Sequence, residues 1–184
     1  MSLIKESLPP GAIVFSTPRE TSRLSGAIIE SSRKIGGEIT FSHCGVIVNH
    51  GMIIHASSTR GVIIEPLKKF IDNAGAVARE VLDDADVADR GFKLCYQQIG
   101  RPYNHAYYPG EEGLYCSELL TECFLLDDGS RYFALTPMNF SDINGSIPEF
   151  WVKKYKQYGR TIPEGIPGSN PQKLYMQLQA RKSR

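Results

Sequence analysis

A chain of 184 residues, 41% hydrophobic and 22% charged, is long enough for one domain with a substantial core and has the make-up of an ordinary soluble globular protein. Its formal net charge of +1 offers no basic surface for nucleic acid, and the basic end Arg181-Lys182-Ser183-Arg184 is short enough to read as a solvated tail. No stretch approaches the roughly 18 apolar residues of a membrane span, and Met1 to Ser7 lacks the apolar segment of a secretory signal, so the expectation is a soluble protein, cytoplasmic unless a leader has been removed.

In chain order, Gly11 to Ser16 reads as a short strand after the Pro9-Pro10 break, and a helix follows from about Arg19 to Lys34 with Leu24, Ala27 and Ile28 on one face. Three strand-like runs come next: Thr40 to Val48, Met52 to Ala56, and Gly61 to Glu65. Asn49-His50-Gly51 joins the first two as a tight hairpin. Pro66 to Ile71 resembles a short helix with Pro near its start, and Ala76 to Leu82 is a further strand. Asp83, Asp84 and Asp86 supply capping and first-turn acid for a helix running to about Ile99. After a loop rich in Tyr, Pro, Gly and Glu, a second helix begins at Cys116 and continues to about Leu126. Short helices around Phe140 and Trp151, a Pro- and Gly-containing loop, and a last helical piece from about Gln172 complete one α+β domain spanning residues 1–184.

The four cysteines, 44, 95, 116 and 123, include no C-x-x-C pair. Cys44 alternates with His43 on a strand, while Cys95 and Cys123 lie on apolar helix stripes, so these three read as small buried hydrophobes. Cys116 differs because it opens a helix, where unpaired N–H groups and the positive end of the helix dipole favour a thiolate. Its spacing to Leu119, Leu120 and Cys123 nevertheless puts it on the inward stripe.

His43 and His55 lie in the two strands of the predicted hairpin. If Asn49-His50-Gly51 is a three-residue loop with Gly left-handed, residues 45 and 55 face each other, and His43 becomes the diagonal neighbour of His55, roughly 7 Å away or less. A two-residue loop would put the histidines on opposite faces. Gly45 leaves room beside them. With a helix-start thiol available, the set matches what thiol catalysis needs: Cys116 as nucleophile, His43 to take its proton and His55 to hold the imidazole in the right tautomer. His50 and His105 read as solvent-facing, with His105 the spare candidate for the base. Glu118 is either ordinary first-turn dipole compensation or a group that binds a substrate amine.

At these residues the sequence resembles the circularly permuted branch of the NlpC-type papain-like peptidases, the YiiX-like group. The resemblance is carried by Gly11-Ala12-Ile13-Val14-Phe15, Ser42-His43-Cys44-Gly45-Val46, Ile53-Ile54-His55-Ala56, Gly100-Arg101-Pro102-Tyr103-Asn104 and Tyr115-Cys116-Ser117-Glu118-Leu119. The Leu135 to Phe140 segment and the Ser169-Asn170-Pro171 region are more weakly similar. In unpermuted relatives the cysteine helix precedes the histidine strands; here the histidines come first, as in lecithin:retinol acyltransferase-like proteins.

The resemblance implies a papain-like fold, a central antiparallel sheet packed against the cysteine-bearing helix, with Cys116, His43 and His55 catalytic. It places Tyr103 where relatives have a tyrosine lining the cleft, suited to holding an oxyanion or substrate, and Asn104 where the family often has Asp. It also implies hydrolysis of amides of amino acids or short peptides, cell-wall-derived peptides among them; the sequence carries no organic cofactor motif and no Gly-rich phosphate loop, so no cofactor is expected. The partner is then a small-molecule or peptide amide. An acyltransferase, a zinc site on Cys116, His43 and His55, and a non-catalytic binding module remain the competing readings. The tail after about Ile162 has no assigned role, and oligomeric state is not readable.

Overall fold

Apolar alternation over Ile13–Pro18 (β1), His43–Asn49 (β2), Met52–Ser57 (β3) and Gly61–Pro66 (β4) gives each strand one face for each of two apolar layers. The computed structural model describes residues 8–49 and 51–183. With Ala74–Glu80 (β5) these strands form one antiparallel sheet of order β4-β3-β2-β1-β5. Leu67–Asp72 (α2) links β4 to β5 and covers one face, where Phe70 packs with Ala12, Val14, Ile47 and Ile53. Against the other face, carrying Phe15, Cys44, Val46, Ile54 and Val62, pack Ala85–Gln97 (α3), Cys116–Cys123 (α4) and Pro171–Lys182 (α6). Arg23–Ser32 (α1) and Glu149–Tyr158 (α5) close a third, aromatic layer around Tyr107, Phe140, Trp151 and Tyr155. Thr136–Pro137 (β6) and Pro167–Gly168 (β7) make a small second sheet.

Local chemistry sets the boundaries that differ from expectation. The first helix starts at Arg23 rather than Arg19 because Ser22 and Ser25 cap each other reciprocally. α4 stops at Cys123, since Phe124 is extended and Leu125 bridges to Arg131 instead of continuing the helix. Phe140 is not helical; its N–H donates to Glu164 Oε2 (2.7 Å) and its ring fills the aromatic layer. Asn170 caps α6, with Pro171 opening it where no N–H is needed. The tail that had no assigned role therefore contributes a core helix.

The hairpin register decides the site. Val46 pairs with Ile54 and Ile47 with Ile53, which sets Gly45 opposite His55, but Asn49 pairs with Met52. The odd residue is absorbed inside β2, between Ile47 and Asn49, rather than in a three-residue loop. Gly51 has the expected left-handed conformation, φ +78°. The shift has the same consequence as the longer loop, leaving His43 and His55 on one face. Gly45 is required between them: a Cβ there would lie 2.8 Å from Ile54 O and 3.0 Å from His55 Cβ. His50, Met1 to Ser7 and Arg184 lie outside the described residues.

Candidate active site

His55 is buried, and both of its ring nitrogens are engaged. Its Nδ1 lies 2.8 Å from His43 Nε2, and its Nε2 lies 2.9 Å from Glu65 Oε1. Because His55 pairs with Ile63 across β3–β4, Glu65 is its diagonal neighbour on the same face. Glu65 Oε2 in turn accepts from Arg60 Nη2 (2.8 Å) and Lys69 Nζ (3.1 Å). Phe70 seals the pair, stacked on His43 at 5.3 Å and edge-on to His55 at 5.2 Å.

The tautomers follow from the end of this chain. Burial pushes the Glu65 carboxyl up, but hydrogen bonds from Arg60, Lys69 and His55 outweigh it and hold the group at about 2. A carboxylate can only accept, so His55 donates from Nε2. Its Nδ1 then accepts from His43 Nε2–H, leaving His43 Nδ1 with a free lone pair. Burial, then the charge on His43, pushes His55 down to about 3, so it stays neutral at neutral pH.

Both folded-state values, about 3 for His55 and about 2 for Glu65, lie below the ordinary 6.5 and 4.5. The folded chain therefore binds fewer protons than the unfolded one, and these groups contribute stability that is lost on acidification. For His55 the loss begins below 6.5 and runs toward 3; for Glu65 it begins below 4.5 and runs toward 2. Urea midpoints should fall steadily from pH 7 to pH 4. A midpoint that is flat over this range would contradict the buried relay.

On the opposite side of β2, α4 delivers Cys116, 4% exposed, to the start of the strand. Hydrogen bonding from the Cys44 thiol, opposed by burial and joined by the His43 imidazole and the Cys44 N–H, holds the Cys116 thiol well below its usual range. Cys44 is thus more than the small buried hydrophobe its position suggests. It is fully buried in the same core cluster as Cys116, and its thiol and N–H are among the groups that lower the Cys116 pKa. Cys44→Ala should raise the midpoint of Cys116 alkylation against pH, read site by site by mass spectrometry; an unmoved midpoint would remove Cys44 from the site.

Cys116 lines an apolar cavity with Ile28, Met138, Phe140 and Trp151, and Tyr103 and Tyr107 form part of its wall. His43 and His55 line an adjoining polar cleft with Ser16, Thr17, Ser57 and Arg60. Ile28, Ser42 and Tyr103 border both, so the thiol cavity and the imidazole cleft adjoin. Gly168, Ser169 and Asn170 close the apolar end. Ser169 ties to the helix start through Ser117 Oγ (3.0 Å) and through Tyr115 Oη, which accepts its N–H (3.1 Å). Gly168 packs against Met138: a Cβ there would lie 2.6 Å from Met138 Sδ and would push the methionine aside.

Tyr103 therefore sits with the catalytic candidates, its hydroxyl 3.3 Å from that of Tyr107. Glu118 lines neither the thiol cavity nor the His43 cleft. It faces a separate cavity with Arg101, Glu122 and Arg131, and burial pushes its carboxyl up to about 7 against donors from Tyr115 N–H and Asn104. His105 packs on Tyr103 in an outer cavity, away from the thiol. Glu65 and Cys44 are residues at the site that sequence reasoning missed, and for the Gly168–Asn170 strap it offered only a weak similarity at Ser169-Asn170-Pro171. The one signal for Glu65 was its place as an acid in an apolar strand, flanked by Arg60 and Lys69.

A thiol at a helix start, facing strand-borne imidazoles on an antiparallel sheet that precedes it in the chain, defines a papain-like cysteine enzyme of permuted order. The chain belongs to the permuted papain-like amidase enzymes, YaeF/YiiX, C92 family, whose model matches residues 7–182. It is an enzyme of the cysteine amidase/peptidase class. Among relatives, Protein OPG091 of Monkeypox virus is 23% identical over 171 residues, covering 88% of this chain and 93% of that one. The crystal structure described as metalloprotein yiiX from Escherichia coli O157:H7 shares the fold, with a TM-score of 0.70 over 90% of this chain and 91% of that one at 21% identity. Among the described residues no group of three His, Cys, Asp or Glu side chains is arranged to hold a metal ion. The zinc arrangement considered from the sequence meets a physical obstacle, because both His55 nitrogens are already committed to His43 and Glu65. No helix among the described residues is long and apolar enough to cross a membrane.

Proposed function

We propose that the enzyme hydrolyses amides whose acyl side is apolar and whose amine side is polar, through a thioester on Cys116. The observation that supports this best is the oriented chain Glu65–His55–His43 ending at a thiol held below its ordinary range. His43 Nδ1 takes the Cys116 proton, and the thiolate attacks the amide carbonyl. The oxyanion that forms is met by the Cys116 N–H at the start of α4, with the Tyr103 hydroxyl beside it. The C–N bond breaks as His43 returns the proton to the departing amine, leaving a thioester. Water then enters, gives a proton to His43 and attacks the thioester; the carboxylic acid leaves and the thiol is restored. His43 protonates the leaving group, so the amine occupies its polar cleft and the acyl group the apolar cavity beside Cys116. Short peptides with an apolar residue on the acyl side fit this description.

The test is a panel of p-nitroanilides differing only in acyl group, with intact-mass detection of the acyl-enzyme. Turnover that favours apolar acyl groups and disappears in Cys116→Ala is the expected result; no turnover and no acyl adduct with any member would reject it. The apolar cavity at the thiol also favours a second reading, transfer of the acyl group to an amine or alcohol. Added acceptors that capture the acyl group in place of water would select that reading.

A further inference from the structure

Two polar side chains tied to the start of α4 take no part in the reaction above: Asn104, buried, and Glu118, half-buried. Glu118 Oε2 accepts from the N–H of Tyr115 (3.2 Å), the residue that precedes the nucleophile and caps α4, and from Asn104 Nδ2 (3.1 Å). Asn104 then spans a turn. Its Nδ2 also donates to Tyr108 O (2.9 Å), and its Oδ1 accepts the Tyr107 N–H (2.9 Å). Within that turn Tyr107 has φ +58°, in the left-handed region that a bulky residue occupies only when its surroundings hold it there. Tyr107 is also the keystone of the aromatic wall, 5.0 Å from the Tyr115 ring and edge-on to Trp151 at 5.6 Å, with its hydroxyl on that of Tyr103.

The geometry points to Glu118 as a positioning residue that, through Asn104, locks the Tyr107 turn and so fixes the Tyr103–Tyr107 hydroxyl pair relative to the start of the Cys116 helix. The inference rests on the amidase reading, because the hydroxyl pair matters only if an acyl group is attacked between it and the thiol. In this role Glu118 works as a hydrogen-bond acceptor. Gln supplies the same acceptor, whereas a group that binds a substrate amine through its charge cannot be replaced by Gln. Substitution therefore separates the two roles.

The probe is p-nitrophenyl hexanoate, which reports acylation of Cys116 by release of p-nitrophenolate, with iodoacetamide alkylation as a measure of the thiolate that needs no acyl positioning. Glu118→Gln should acylate at the wild-type rate. Glu118→Ala and Asn104→Ala should acylate about 10- to 100-fold more slowly while alkylation is unchanged. The double variant should be no slower than the slower single, since both break one strut. Glu118→Gln as slow as Glu118→Ala, or Asn104→Ala acylating at the wild-type rate, overturns the inference. If Glu118→Ala does not fold, those two remaining variants still decide it. Wild-type acylation no faster than that of Cys116→Ala overturns the amidase reading itself and the positioning role with it.

Discussion

In a His43→Ala variant, alkylation of Cys116 by iodoacetamide at pH 6 slows by about 10- to 100-fold, and its midpoint moves toward the ordinary thiol value near 8.5. The size follows from two opposed effects. At pH 6 a thiol of ordinary pKa is ionised to less than about one part in a hundred, but a more basic thiolate is also intrinsically more reactive, which returns part of the loss. His43 is the imidazole among the groups that lower the Cys116 pKa, and Cys44 retains its own donors in the variant. The shift is therefore large but incomplete. Cys44 and Cys95, whose thiols burial pushes up, stay slow in both proteins. A wild-type midpoint already near 8.5, unmoved by the mutation, would leave the thiol without an activating base and favour a binding role for the groove.

Glu65→Gln should reduce amide turnover by about 10²- to 10⁴-fold at neutral pH with little change in KM. Arg60 and Lys69 are donors and hold the Gln oxygen, so the Gln NH₂ turns toward His55 Nε2. His55 then accepts at Nε2 and carries its proton on Nδ1, which points a donor at His43 Nε2. The base is driven to carry its own proton on Nδ1, the position that must receive one from Cys116. Fold and thiol remain, but the tautomer is wrong. Replacing only Arg60 should cost far less, because it is half exposed and Lys69 still pairs the carboxylate; pairs of that kind are typically worth under about 1 kcal/mol. Equal losses in Arg60→Ala and Glu65→Gln would show that charge near the site, rather than tautomer, is what counts.

These two expectations differ in how readable their residues were. Cys116 stood out in the sequence because a helix start, an inward stripe and a thiol are all local properties of eight consecutive residues. His43 and His55 were legible on one condition, the hairpin register, and the register came out as needed by a different route, a shift within β2 instead of a longer loop. The α+β class and the antiparallel histidine hairpin follow from period-2 and period-3.6 patterns and a turn that each segment carries by itself, whereas the cysteine helix against the sheet was expected only from the family resemblance. The resemblance to the permuted papain-like group rested on five short motifs in order.

Only the tertiary structure decided the rest, because it depends on which strand faces which. Glu65 is only the last residue of a strand-like run in the sequence; β3–β4 pairing places it diagonal to His55 and buries it. Cys44 alternates away from His43 and so looked like core; α4 packs on that very face, and the core side of the strand is where Cys116 arrives. The same holds for Tyr107 and the Gly168–Asn170 strap, whose positions at the groove are set by segments tens of residues away. Side-chain period and capping are written within a few residues of chain, whereas a hydrogen-bonded relay is written across strands, and its members become recognisable only once their register is fixed.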